Sequence, residues 1–252
     1  MLLKNILRNW KRETFYIMVL LLGVLALASG TALLFMALHY RTAEAPYIEI
    51  REELAQETPL GGKAAALRTR IDFEQLQKNF PDSVGWITVE GTPLDYPIMY
   101  AGDNETYLNR AADGSENSAG AIFLDCRNSP DFADENSIIF GHNLKSGSMF
   151  GMLPQYQNAD YTREHPIITL TDRRGETAYT VFSVYVTTAG SESYTRGFSD
   201  HGDYLRFLQK VKELSLYDTG VSVDGGGKMV TLSTCTNLAQ DERLVIQAIS
   251  LD

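Results

Sequence analysis

Cysteine is almost absent from this chain: Cys126 and Cys235 are the only two thiols in 252 residues. An exported domain stapled by disulfides normally carries more, and this spacing fits none of the common zinc patterns. The two could form one bridge. Yet each sits at the end of a separate strand candidate, and a domain of about 180 residues builds its core without a staple. Both are read as free thiols, and no metal or cofactor is expected. Basic runs are missing too. Lys and Arg number 22 against 32 Asp and Glu, a formal net charge of −10. Residues 1–41 carry +4 (Lys4, Arg8, Lys11, Arg12 and Arg41 against Glu13), which leaves −14 for the rest. Without an arginine-rich stripe, nucleic acid is not an expected partner, and the acidity reads as solubility. No phosphate loop is present either. Gly225-Gly226-Gly227-Lys228 leads into a strand candidate rather than a helix, so it reads as a turn. No internal repeat or low-complexity segment appears.

Charge is missing from one long stretch, Phe15 through Leu38. At ~1.5 Å per residue it spans ~36 Å, enough for a bilayer core of ~30 Å with some tilt. A buried core helix is rarely apolar all round for that length. Basic Lys4, Arg8, Lys11 and Arg12 precede the run, and Glu44, Glu49, Glu52 and Glu53 follow it. The positive-inside rule then puts the N-terminus in the cytoplasm and the rest outside. A cleaved signal peptide is the alternative. The run exceeds the roughly 7–15 apolar residues of a signal peptide, while small Ala26, Ala28 and Gly30 keep cleavage open. The expected organisation is a cytoplasmic tail (1–14), a transmembrane anchor (15–38), a stalk (39–70) and an extracytoplasmic domain (71–252). Pro46, Pro59, Gly61 and Gly62 interrupt the stalk, which is expected to be partly helical over 63–70.

From Asp72 the pattern becomes that of a packed domain. Asp72 can cap a short helix with Phe73, Leu76 and Phe80 on one face. Strand candidates follow at Trp86–Glu90, Leu94–Met99, Ala121–Asp125, Ser137–Phe140, Ile167–Thr171, Ala178–Thr188, Met229–Thr234 and Leu244–Ser250. Eight strands at such spacing suggest a sandwich or barrel. One helix interrupts them over 203–216, with Tyr204, Phe207, Leu208, Val211 and Leu214 on one face and Ser199 or Asp200 as cap. It is expected to lie across the strands as a lid or wall.

Chemistry points to Thr231-Leu232-Ser233-Thr234-Cys235, with Arg243 eight residues on. If the last two strands pair as neighbours, Cys235 ends one where Arg243 begins the next. A nearby cation favours the thiolate, the reactive form of the thiol. The competing reading of Cys235 is a small buried hydrophobe, and that of Arg243 a surface pair with Asp241 or Glu242. A thiol nucleophile needs an acid/base partner. His39 lies at the membrane boundary, His165 precedes Pro166 in a loop, and His201 begins the late helix. His142 follows the strand candidate Ser137–Phe140 through Gly141, which suits a site at a strand end; a surface loop position is the alternative. Cys126 has no activating base nearby. Tyr96, Tyr100, Tyr107 and Tyr185 read as core or groove lining.

Together these segments resemble the sortases. Asp82-Ser83-Val84-Gly85-Trp86-Ile87, Tyr96-Pro97-Ile98, Asp103-Asn104 with Tyr107-Leu108, and Gly120 through Asp125 are similar to class B in particular. So are Gly141-His142-Asn143, Gly147-Ser148-Met149-Phe150 with Leu153, and the late helix. The resemblance covers roughly 70–252. It implies a mainly β fold, an eight-stranded closed barrel with N-terminal helices and a helix before the penultimate strand. It implies a membrane-anchored cysteine transpeptidase at a Gram-positive cell envelope. Such an enzyme cleaves a C-terminal sorting signal of secreted proteins and joins the new carboxyl end to a peptidoglycan cross-bridge or lipid-linked precursor amine. By the family pattern Cys235 is the nucleophile, His142 the general acid/base and Arg243 the anion stabiliser, while Asn104, Ser233 and Thr234 lie near the substrate. Cys126 stands where the family more often has an aromatic residue, and no role is assigned to it.

Two other enzymes and one non-enzyme compete. An L,D-transpeptidase also uses Cys, His and Arg, but keeps its histidine close to the cysteine, whereas His142 is far upstream of Cys235. A cysteine peptidase would let water resolve the thioester. A non-catalytic envelope assembly protein would have no need of an intact Cys, His and Arg.

Overall fold

A computed structural model of the chain describes residues 14–31, 34, 47, 55–57, 69–236 and 241–250. It divides into two compact units, Met1–Thr42 and Ala43–Asp252. In the first, helix α1 (Thr14–Thr31) has mean hydropathy 2.0 and exposed side chains. Its 18 residues span ~27 Å. It is the one helix among the described residues long and apolar enough to cross a membrane. The Ser29 and Thr31 hydroxyls donate back to the carbonyls of Leu25 and Ala28, so these two polar side chains are satisfied within the helix. Residues 1–13 of the expected tail and, Leu34 apart, the part of the expected anchor beyond Thr31 lie outside the described residues.

The first described residue of the second unit is Tyr47, in the segment read as a stalk. Its side chain is buried, its hydroxyl donates to the Gly120 carbonyl at 2.7 Å, and its ring meets Tyr96 edge-on at 5.3 Å. Burial pushes the phenol well above its ordinary pKa. Strands β1 (Ala55–Glu57) and β2 (Thr69–Ile71) pair antiparallel nearby in sequence. The helix expected over 63–70 falls outside the described residues, except that Thr69 and Arg70 belong to β2. Helix α2 (Phe73–Asn79) starts as its sequence dictates: Asp72 Oδ1 accepts from the N–H groups of Glu74 and Gln75, and Phe73 and Leu76 are buried.

Eight strands then close into a barrel, as expected. They are β3 (Ser83–Thr88), β4 (Asp95–Met99), β5 (Ile122–Leu124), β6 (Asn136–Phe140), β7 (Ile167–Asp172), β8 (Gly175–Thr188), β9 (Met229–Cys235) and β10 (Glu242–Ser250). Around the barrel the order is β10-β8-β7-β3-β4-β5-β6-β9. The pairs β4–β5 and β6–β9 are parallel and the others antiparallel. Period-two alternation sends Leu244, Ile246 and Ala248 into the main core and Val245 and Ile249 to the opposite face. That outer face is covered by α4 (His201–Glu213), which buries Tyr204, Phe207, Leu208 and Val211 against it. Asp200 caps α4 by accepting from the Asp203 N–H at 2.8 Å. The late helix is thus a wall outside the barrel. The short helix α3 (Ala159–Glu164) was not anticipated; its six residues bury only Thr162, so no apolar period marks it.

The topology gathers three chain ends at one rim. Because β6 and β9 run parallel, both finish on the same side, with Phe140 level with Ser233. Because β10 returns antiparallel to β9, its first residues lie beside the last of β9.

Candidate active site

Cys235 closes β9, and its register partner on β10 is Arg243. Directly opposed residues of an antiparallel pair hold their side chains on one face, with Cβ atoms about 5 Å apart. The pairing expected from the spacing of the two strands is therefore present. His142 lies two residues past the end of β6, the parallel neighbour of β9. Cys235, Arg243 and His142 are all half-buried and line one groove of about 310 Å³. Among the described residues neither cysteine is bridged.

The imidazole is held from below. Its Nε2 lies 2.7 Å from the Leu108 carbonyl oxygen. A carbonyl only accepts, so this bond places a hydrogen on Nε2 and leaves Nδ1 as the other exchange site. Gly120 forms the floor beneath, with φ +62, in the left-handed region natural to glycine. A Cβ there would lie 2.7 Å from the carbonyl oxygens of Leu108 and Tyr107 and 2.9 Å from His142 Cδ2.

Part of the groove lining is aromatic. Phe123 packs on Phe140 at 5.5 Å between ring centres, and Phe140 on Tyr194 at 6.1 Å. The Tyr194 hydroxyl is 2.9 Å from Ser233 Oγ; burial raises its pKa, and the Ser233 bond partly offsets this. Thr234 Oγ1 donates to the Gly141 carbonyl at 2.7 Å. The Ser233 and Thr234 hydroxyls are thus engaged with protein, although both residues line the groove.

Asn104 and Arg127 add polar groups to the lining. Both are tied to Asp125, whose side chain is fully buried. Arg127 Nε donates to Asp125 Oδ1 at 2.9 Å, and its Nη2 forms an ion pair with Oδ2 at 2.5 Å. The Arg127 backbone N–H also donates to Oδ1 at 2.9 Å. Asn104 Nδ2 approaches Oδ1 at 3.4 Å, and its own Oδ1 accepts from the Cys126 N–H at 2.8 Å. Burial opposes the charge on Asp125. The donors and positive charge of Arg127, with the Asn104 amide, nevertheless hold the carboxyl below the usual carboxylate range.

The structure brings Cys235, His142, Arg243, Asn104, Ser233 and Thr234 to one groove. Arg127 and Tyr194 were missed. The step of two from Asp125 to Arg127 permits their pairing without signalling it, and Tyr194 arrives from the loop between β8 and α4, which no local pattern joins to β9. The remaining described histidines lie elsewhere: the His165 ring packs tilted against Tyr161 with centres 4.6 Å apart, and His201 opens α4. His39 lies outside the described residues. Tyr96, Tyr107 and Tyr185 are buried, and Tyr100 packs against the core. None of the four lines the groove.

A family model described as the sortase domain matches residues 87–250. The chain is 41% identical over 182 residues to sortase B of Listeria monocytogenes, covering 71% of this chain and 73% of that one. It superposes on the crystal structure of sortase B from B. anthracis with a TM-score of 0.70 at 34% identity, covering 84% of this chain and 96% of the other. A Staphylococcus aureus sortase B–substrate complex is similar with a TM-score of 0.67 at 32% identity, covering 71% and 84%.

Proposed function

Since this chain belongs to the sortase family, in its class B branch of cysteine transpeptidases, we propose that Cys235 is its nucleophile, His142 its general acid/base and Arg243 its anion stabiliser. The observation that carries this reading is the meeting of the ends of β6, β9 and β10 on one groove, with Cys235 and Arg243 as register partners.

The substrate is the C-terminal sorting signal of a secreted protein. It lies extended over the aromatic part of the groove lining, with Asn104, Ser233 and Thr234 near it. The Cys235 thiolate attacks the scissile carbonyl carbon, and the carbonyl π electrons move onto oxygen. Arg243 and backbone N–H groups stabilise that oxyanion; losing one such donor typically costs about 100- to 1000-fold in rate. As the tetrahedral species collapses, the C–N bond breaks and His142 delivers a proton to the leaving amine. The Leu108 carbonyl keeps a hydrogen on Nε2, so Nδ1 exchanges the proton. A second amine, from a peptidoglycan cross-bridge or its lipid-linked precursor, then attacks the thioester. His142 takes that amine's proton, and Cys235 departs as thiolate.

α1 serves as the membrane anchor, with the N-terminus cytoplasmic and the catalytic domain (71–252) outside, where both substrates arrive. The apolar length of α1 and the basic residues before it support that placement. Within the segment 39–70 Tyr47 packs into the domain, so only part of that segment spaces the domain from the bilayer. The chain carries out this transfer without a cofactor.

The test is cleavage of a small library of sorting peptides with and without an added amine. Amide product formed at the expense of free acid is the expected result. Free acid alone at every amine concentration would make the protein a peptidase. Full activity in Cys235→Ala would remove the scheme, whereas Cys126→Ala is expected to change little.

A further inference from the structure

Asn143, next to the proposed proton carrier, has no part in the scheme so far. Its geometry assigns it one. The parallel ladder of β6 and β9 ends at Phe140 and Ser233. Beyond that point three bonds keep the two segments together. The Gly141 N–H donates to the Ser233 carbonyl at 3.4 Å, and Thr234 Oγ1 donates to the Gly141 carbonyl at 2.7 Å. Asn143 Nδ2 then donates to the Cys235 carbonyl at 2.8 Å. These contacts bracket His142, one residue before it and one after.

The far side of the loop is fixed as well. The Phe150 N–H donates to the His142 carbonyl at 3.0 Å, and Asn143 forms an antiparallel bridge with Met149. Met149 is buried with φ +52, a conformation a non-glycine residue holds only when its surroundings enforce it. In this frame the Asn143 amide is the side-chain link from the histidine's loop to the nucleophile's own residue.

We propose that Asn143 is a positioning residue. Its amide clamps the Cys235 carbonyl, and so sets both the distance between the thiol and His142 and the tilt of the peptide on which the thiol stands. In a trans peptide the C=O and the following N–H point in opposite directions. With the Cys235 carbonyl held toward the His142 loop, the Thr236 N–H faces β10, 3.4 Å from the Glu242 carbonyl. Without the clamp that peptide is held on the β10 side alone, by the long Thr236–Glu242 contact, and the thiol and imidazole lose a direct tie between their segments. The inference rests on the catalytic roles proposed above for Cys235 and His142.

The experiment compares Asn143→Ala and Asn143→Asp with the intact protein, reading kcat and KM for a sorting peptide from about pH 5 to 8. A misplacement of about 1 Å can cost up to about 100-fold in rate. A loss approaching that in kcat, with KM nearly unchanged, is expected for Asn143→Ala. Asn143→Asp keeps the shape but donates only when protonated. A free carboxyl titrates near ~3.9, and the facing carbonyl and partial burial both raise this. The Asp variant is therefore expected to be slower than the Ala variant near neutral pH and faster than it at the acid end. Wild-type kcat in both variants overturns the inference, and so does a constant ratio between them across the pH range. Should Asn143→Ala fail to fold, the Asp variant decides alone: its rate relative to wild type must rise as pH falls, and a flat ratio overturns the clamp. A wild-type protein that forms no adduct on Cys235 would instead remove the underlying catalytic roles.

Discussion

Replacing Gly120 with alanine puts a methyl group under the catalytic imidazole, and the structure sets its cost. Backbone at φ +62 costs an alanine about 1 kcal/mol relative to glycine. The new Cβ would also lie 2.7 Å from two carbonyl oxygens, of Tyr107 and Leu108. That is nearly ~1 Å inside normal contact distance. Neither oxygen is free to retreat: Tyr107 O accepts from the Ala121 N–H at 2.9 Å, and Leu108 O holds His142 Nε2 at 2.7 Å. Overpacking of this kind adds roughly 1–3 kcal/mol. The summed loss of stability is therefore about 2–4 kcal/mol. The strain is relieved by moving the Leu108 carbonyl or the ring it holds, so kcat/KM should fall up to about 100-fold, or ~2.7 kcal/mol of barrier. Denaturant unfolding and peptide-cleavage kinetics measure the two effects separately. Gly220→Ala is the control. Its φ is +74 with nothing within 4 Å of the added methyl, so it should lose about 1 kcal/mol of stability and no activity. Wild-type kcat/KM in folded Gly120→Ala would refute the claim that this floor positions His142.

Three further outcomes are expected. Tyr47→Ala should cost about 3–5 kcal/mol and Tyr47→Phe about 1 kcal/mol in urea unfolding of a protein that retains the 39–70 segment; no loss in the alanine variant would show that the ring contributes no packing. Asp125 has its folded pKa held below the unfolded value of about 3.9. Its stabilisation is then complete above that value and disappears as pH falls through the folded pKa, so Asp125→Asn should flatten the acid limb of stability against pH; an unchanged limb would contradict the Arg127 pairing. Arg127→Ala should cost roughly 1–2 kcal/mol, toward the low end because the arginine is half-exposed and screened, and thermal unfolding that matches wild type would sink this expectation.

The barrel strands were legible because two-period alternation and β-branched runs survive in the linear sequence, as in β8 and β10. Asp72 and Asp200 announced their helices by the same local logic, since a cap acts within three residues. The neighbourhood of Cys235 and Arg243 could be anticipated from a short connection between two such strands. The approach of His142 depended on the parallel pairing of β6 with β9, which no local signal encodes. Tertiary placement alone decides the rest. Tyr194 reaches Ser233 from a loop, Tyr47 reaches Gly120 across 73 positions, and Asn143 reaches the Cys235 carbonyl across 92. Polar side chains in irregular segments carry no period, so their partners appear only once the barrel is closed.

The central claim is that Cys235 carries the acyl group between donor and acceptor. Its most direct test is intact-protein and peptide mass spectrometry after mixing the enzyme with a cleavable sorting peptide. The expected result is an adduct with the mass of the peptide's N-terminal fragment, mapped to the segment containing Cys235 and discharged to an amide by added amine. Peptide cleavage that proceeds with no adduct at Cys235, or continues in Cys235→Ala, would contradict it.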